Sequence, residues 1–236
     1  MTLVISYVSD TISVIISDRK VSKGKEAEEG FSTDEIKLIP LRNMGWSSGA
    51  GHAGFLNYSK EVLSDLFTYQ VTDVAKTYTK AMDYCKKIDP ENSKWIEESV
   101  VVASWRGPGE GGNQRFYIGV LSKEHIKNEM PSLLVDNYIF VLYPNDYLKD
   151  LDKVRAIQDK YGYLYEFEDS AEKLFDRLLN IFREIAINSE FVTEYCDIGV
   201  YDNHLVGEKK RISGDVSDLI EQNSKGQLFN NLERIN

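Results

Sequence analysis

The first eighteen residues constrain the fold more than any other stretch. Leu3-Val4-Ile5-Ser6-Tyr7-Val8 is apolar and β-branched, which favours a strand. Ser9-Asp10 is turn-prone, and Thr11-Ile12-Ser13-Val14-Ile15-Ile16 resumes strand chemistry. The pair reads as a hairpin ending at Ser17-Asp18-Arg19-Lys20, three charges in a row after a buried strand. A hydroxyl thus stands one residue from the first methionine, and an acid stands at the far end of the returning strand. If an aminopeptidase removes Met1, Thr2 carries both a nucleophilic hydroxyl and a free α-amine. With a reference pKa of about 7.7–8.0, that amine can act as the hydroxyl's own base near neutral pH.

No Pro/Gly/Ser-rich linker divides the 236 residues, so the chain is expected to form a single domain over 1–236, with 213–236 a C-terminal helix and tail. A hydrophobic share of 42% is enough for a large core and argues against disorder. The net charge of −10 argues against a general affinity for nucleic acid or anionic membrane. The basic run Lys209-Lys210-Arg211 is short and reads as a solvated strand end. Cys85 and Cys196 have no metal-ligand spacing and read as buried free thiols. Ser6, Ser9 and Asp10 break the first apolar run too early for a signal peptide, and no stretch nears the roughly 20 apolar residues of a membrane helix. A soluble, cytoplasmic protein is the expectation.

After the hairpin, Val21 to Thr33 reads as a polar loop, followed by short strands at Ile36–Leu41 and Met44–Gly49. Gly49-Ala50-Gly51-His52-Ala53-Gly54 allows close backbone approach, where a helix start can meet substrate. Two helices follow, one carrying Phe55, Leu56, Val62, Leu63, Leu66 and Phe67, the other capped by Thr72 and ending near Asp89-Pro90. Strands are predicted at Ser99–Trp105, Arg115–Leu121 and Tyr138–Tyr143, then helices over Asp146–Lys160 and from Ser170 to about Ile187. Cys196–Tyr201 and Leu205–Ile212 read as a closing strand pair. Paired helices between blocks of strands give an α+β class, a four-layer αββα sandwich of two stacked antiparallel sheets covered by helix pairs. Aromatic residues beyond one core's need, Phe55, Phe67, Tyr69, Tyr78 and Tyr84, point to subunit contacts.

The pattern Met-Thr, strand, turn, strand, Ser-Asp-Arg, with Lys37 in Asp34-Glu35-Ile36-Lys37-Leu38-Ile39-Pro40, resembles the proteasome β-subunit family of N-terminal-nucleophile (Ntn) hydrolases. The resemblance is specific over residues 1–55. It implies the same four-layer fold, a threonine nucleophile at Thr2, supporting roles for Asp18 and Lys37, and an oxyanion-hole amide at Gly51. It also implies a homo-oligomeric ring, an ATP-dependent unfoldase as partner, and no required cofactor. Cys196-Asp197-Ile198-Gly199-Val200-Tyr201-Asp202 resembles a late turn of the bacterial two-ring subunit, where backbone carbonyls hold a monovalent cation; Cys196, Gly199 and Asp202 are the matching positions.

The middle of the chain departs from the family. Active members carry a Gly-Ser-Gly-type segment beside the nucleophile, whereas here the comparable Phe140-Val141-Leu142-Tyr143-Pro144-Asn145 has no serine. The Val21–Thr33 segment is also about three residues longer than the family's. Three readings stay open: a threonine peptidase cleaving amide bonds, an inactive scaffold or binding subunit of the same fold, and an amidohydrolase acting on a small molecule.

Overall fold

A computed structural model of the chain describes residues 2–22, 30–33, 35–42, 44–66, 70–109, 113–134, 136–161, 170–202 and 208–235. The opening hairpin is β1 (Val4–Val8) and β2 (Ile12–Asp18), paired antiparallel with Val4 opposite Ser17. Nearly every residue of both strands is buried, because both faces are covered. The period-2 alternation of a strand divides them: Leu3, Ile5 and Tyr7 join one apolar cluster, while Val4 and Val8 join another.

A two-stranded ribbon, β3 (Val21–Ser22) with β4 (Phe31–Ser32), brackets the polar segment after β2. Then come β5 (Ile39–Pro40), β6 (Trp46–Ala50), α1 (Ala53–Ser64), α2 (Val71–Ile88) and α3 (Ser93–Glu97). The middle holds β7 (Val100–Pro108), β8 (Gln114–Leu121), β9 (Ser132–Leu133), β10 (Tyr138–Leu142), α4 (Asn145–Leu148), α5 (Leu151–Tyr161) and α6 (Ala171–Ile187). The chain closes with β11 (Tyr195–Asp202), β12 (Glu208–Asp215), α7 (Val216–Ser224) and β13 (Glu233–Ile235).

The protein is α+β, with two large antiparallel sheets. One runs β10-β1-β2-β11-β12-β13 and the other β5-β6-β7-β8-β9. Val4, Val8 and Ile15 of the first sheet meet Trp46, Val102, Phe116 and Ile118 of the second in a shared cluster. On its other face, the first sheet packs Ile5, Val14 and Ile198 against Leu178, Phe182 and Ile185 of α6. The second sheet packs Val101, Ala103 and Trp105 against Phe55 of α1 and Tyr78 of α2. Trp46 ties the sheets together by donating from Nε1 to the Val200 carbonyl at 3.0 Å.

Several sequence expectations are revised. Lys37 precedes β5 on a segment outside the sheets, because pairing with β6 reaches only Ile39 and Pro40. α2 starts after Gln70, not at a Thr72 cap, and the first turn gains no side-chain cap. The single helix expected over 146–160 is broken at Lys149-Asp150, where the Asp150 carboxylate accepts the Asp152 N–H at 3.2 Å and starts a new helix. The Ser170 cap is present, its Oγ accepting from the Lys173 N–H at 3.2 Å. α3, β9 and β13 are too short to leave a periodic signal. Phe55 and Tyr78 are fully buried and meet edge to face at 5.4 Å, so they belong to the core and not to a subunit contact. Phe67, Tyr69 and Leu205 lie outside the described residues.

Candidate active site

The antiparallel register of β1 and β2 sets the site. Because Val4 faces Ser17, the residues before β1 run alongside the end of β2. The Leu3 N–H donates to Asp18 Oδ1 at 3.0 Å, and the Asp18 N–H returns a bond to the Leu3 carbonyl at 3.3 Å. A third donor, the Lys20 N–H, reaches Asp18 Oδ2 at 2.8 Å. Asp18 is thereby fixed in a fully buried position beside Thr2.

Lys37 completes the group. Its Nζ donates to Asp18 Oδ1 at 2.9 Å and to the Thr2 hydroxyl at 3.0 Å. Thr2 and Lys37 are both buried. Burial pushes the Asp18 carboxyl up, against the pull of the Lys37 charge and of the Lys20 and Leu3 N–H donors. The same burial pushes the Lys37 ammonium down, opposed by Asp18. A lysine held against a hydroxyl in a low-dielectric site stabilises the developing alkoxide and can pass a proton.

Gly51 follows the end of β6 and precedes α1. Ser48 of β6 donates to the Ser17 hydroxyl of β2 at 2.9 Å, so the strand leading to Gly51 crosses β2 one residue from Asp18. Gly51 has φ +130°, and a Cβ there would lie 2.2–2.6 Å from Ser99 Oγ, Cβ and Cα. Only glycine satisfies both conditions. The turn is braced from outside: the His52 N–H donates to Ser99 Oγ at 2.9 Å, Ser99 Oγ donates to the Trp95 carbonyl at 3.0 Å, and Tyr78 donates to the Ser99 carbonyl at 2.9 Å. The structure therefore brings Thr2 and Asp18 together through Lys37, and places Gly51 just past the end of the strand that crosses β2.

Sequence reasoning missed several contributors. Lys60, on the buried face of α1, donates to the Lys37 carbonyl at 2.8 Å. A lysine flanked by buried Leu56 and Leu63 was its signal. Arg19 makes a bidentate pair with buried Asp197 of β11, at 2.9 and 2.6 Å, which anchors β2 just past Asp18. Arg211 also pairs with Asp197, at 3.3 Å, and Lys209 donates to the Leu41 carbonyl at 2.7 Å, so two residues of the half-exposed basic run on β12 also have structural roles. Lys20 reaches the Glu190 carbonyl and covers the Phe31 ring at 4.4 Å, bridging the turn after α6 and β4.

The segment without a serine lies next to the site. β10 pairs with β1 with Leu142 opposite Val4, so Tyr143 and Pro144 leave the sheet at the end where Thr2 and Leu3 enter it. Among the described residues, the hydrogen-bond partner of the Thr2 hydroxyl is Lys37.

The cation expected at Cys196, Gly199 and Asp202 does not fit. All three stand on β11, which is paired along its length with β2 and β12. Successive carbonyls of a strand point to opposite edges, and residues 196 to 202 span ~20 Å. Carbonyls three residues apart then face different neighbours and cannot converge on one ion. Gly199 is glycine for another reason: a Cβ there would lie 2.5–2.8 Å from the Trp46 ring. Among the described residues, no group of three or more His, Cys, Asp or Glu side chains could hold a metal ion. No helix among them is long and apolar enough to cross a membrane.

Two antiparallel sheets packed face to face, with a threonine, lysine and aspartate clustered at one end of the first hairpin, define the class of fold. It is similar to that of Anbu from Hyphomicrobium sp. strain MC1, solved as a mutant, with a TM-score of 0.61 and 16% identity over the full length of both chains. At that identity the likeness is one of fold. No protein-family model matches the chain. No curated protein sequence matches it either.

Proposed function

We propose that the protein is an Ntn hydrolase that cleaves amide bonds of peptides through Thr2, its amine freed by removal of Met1. The observation that carries this reading is the contact of Lys37 Nζ with both the Thr2 hydroxyl and Asp18, at 3.0 and 2.9 Å. The likeness to Anbu supports it at the level of the fold. The three apolar clusters, one between the sheets and one on the outer face of each, support a four-layer αββα arrangement in one domain.

In the proposed reaction, the Thr2 hydroxyl attacks the scissile carbonyl while its proton passes to the Thr2 α-amine. Lys37 lowers the proton affinity of the hydroxyl, and Asp18 orients and charge-compensates Lys37. The Gly51 N–H donates to the oxyanion. The C–N bond then breaks, the departing amine takes the proton, and an ester on Thr2 remains. Water attacks that ester, giving a carboxylate and restoring the threonine. No bound cofactor is required.

A non-catalytic subunit of the same fold is the second reading, favoured by Tyr143-Pro144-Asn145, which follow β10 without the serine that active family members carry. Intact mass and turnover of a fluorogenic peptide amide decide between them. Loss of the Met1 mass together with turnover that vanishes in Thr2→Ala supports the hydrolase. A retained Met1 with no turnover supports the second reading.

A further inference from the structure

Lys60 is a buried cation that the proposed chemistry does not use. It lies on α1, nine residues beyond Gly51, with Leu56 and Leu63 on the same buried face. Its residue surface is only 6% exposed, yet among the described residues it has no carboxylate partner and a single acceptor, the Lys37 carbonyl. Burying an ammonium without a counter-ion is costly, so a lysine in this position calls for a reason. Lysine also brings three donors where one is used, so a hydrogen bond alone does not require it.

The surrounding charges supply that reason. Lys60 of α1 holds the main chain of Lys37, and Lys37, on the segment before β5, in turn touches Asp18 of β2 and the hydroxyl of Thr2, whose α-amine is free once Met1 is gone. Asp18 also faces the Cys196 thiol of β11, which burial and nearby carboxylates keep protonated. Beyond it, Arg19 is matched by Asp197. Asp18 compensates Lys37, which leaves Lys60 as one positive charge in excess. Burial and the repulsion of Lys37 push Lys60 itself down to about 8, so it is charged at neutral pH and loses that charge above it.

We propose that Lys60 is a positioning residue for the Thr2 site: its ammonium fixes the Lys37 main chain, and its uncompensated charge keeps the site's base unprotonated near neutral pH. The inference rests on the hydrolase reading above. A nearby positive charge disfavours protonation of the Thr2 amine and so lowers its pKa. Removing that charge raises the pKa, and the acid limb of the pH–rate curve moves to higher pH.

The test compares kcat/KM against pH for the mature wild type, Lys60→Gln and Lys60→Arg on one fluorogenic peptide amide. Glutamine keeps a donor for the Lys37 carbonyl and removes the charge, while arginine keeps the charge. The Lys60→Gln acid limb is expected to rise by about 0.5–1 pH unit, a roughly three- to tenfold loss at pH 6.5 that recovers above pH 8.5. The Lys60→Arg limb is expected to stay with the wild type. An unmoved limb in Lys60→Gln, or equal shifts in both variants, overturns the charge role while leaving the hydrolase reading intact. Absence of turnover in the mature wild type overturns that reading and this inference together.

Discussion

At the scale of single residues, Thr2, Asp18 and Lys37 form one unit, and substitutions within it are expected to be strongly non-additive. Thr2→Ala should abolish turnover of a peptide amide while leaving the far-UV spectrum unchanged; retained turnover would remove the nucleophile assignment. Lys37→Ala should lose activity almost as completely, by about 10³-fold or more, since it takes away the only cation touching the Thr2 hydroxyl among the described residues. Lys20→Ala leaves the main-chain bond to Asp18 in place and removes the side-chain bridge to Glu190 and Phe31. A stability loss of about 0.5–1 kcal/mol in urea unfolding, with kcat within about twofold, is the expected result.

The buried lysine Lys60 also makes stability depend on pH with a defined sign. Its folded-state pKa is pushed down to about 8 from 10.5, so between those values the unfolded chain holds a proton that the folded chain has lost. Stability then rises with pH across that window. Relative to Lys60→Met, the wild type should gain on the order of 2–3 kcal/mol between pH 7.5 and 10.5. Denaturant unfolding of both proteins at the two pH values checks it; a constant difference would mean that Lys60 titrates normally.

At the scale of elements, the strands of the opening hairpin were legible because short runs of apolar and β-branched residues leave a local signal. The arrival of Lys37 beside Asp18 was legible only through family resemblance. Its segment is not in a sheet, and no periodicity marks it. The break between α4 and α5 was missed because Leu148, Leu151, Val154 and Ile157 keep helical spacing across it. Leu148 and Leu151 are in fact exposed, so apolar spacing there does not report burial. The crossing of β6 over β11 gives a separate prediction. Gly199→Ala drives a methyl group into the Trp46 ring, and overpacking of this kind should cost about 1–3 kcal/mol. Thermal unfolding measures it, and an unchanged Tm would show that the sheets can separate to make room.

At the scale of the whole molecule, the described surface narrows the expected subunit contact. Phe55 and Tyr78 are withdrawn into the core, while Tyr84, Ile88 and Trp95 stay exposed on α2 and α3. Tyr58 lies tilted against Tyr84 with ring centroids 4.9 Å apart, which makes a contiguous aromatic edge there. If this edge closes a ring, light scattering should give a multiple of the 27.0 kDa chain mass, and Tyr84→Glu with Ile88→Glu should reduce it. A mass near one chain for the unmodified protein would refute self-association.

The sequence by itself determined the elements with a strong local period: the buried hairpin β1–β2, the capped helix α6, and the α+β class. Each of these is written in neighbouring side chains, because strand alternation and helix spacing act over a few residues. Tertiary structure alone decided what meets what across the chain. The Arg19–Asp197 pair joins residues 178 apart, and the Lys60–Lys37 contact joins residues 23 apart. It also decided that Cys196, Gly199 and Asp202 lie in a paired strand, where their carbonyls diverge. Burial, charge balance and carbonyl direction depend on which elements stack, and no local pattern encodes that stacking.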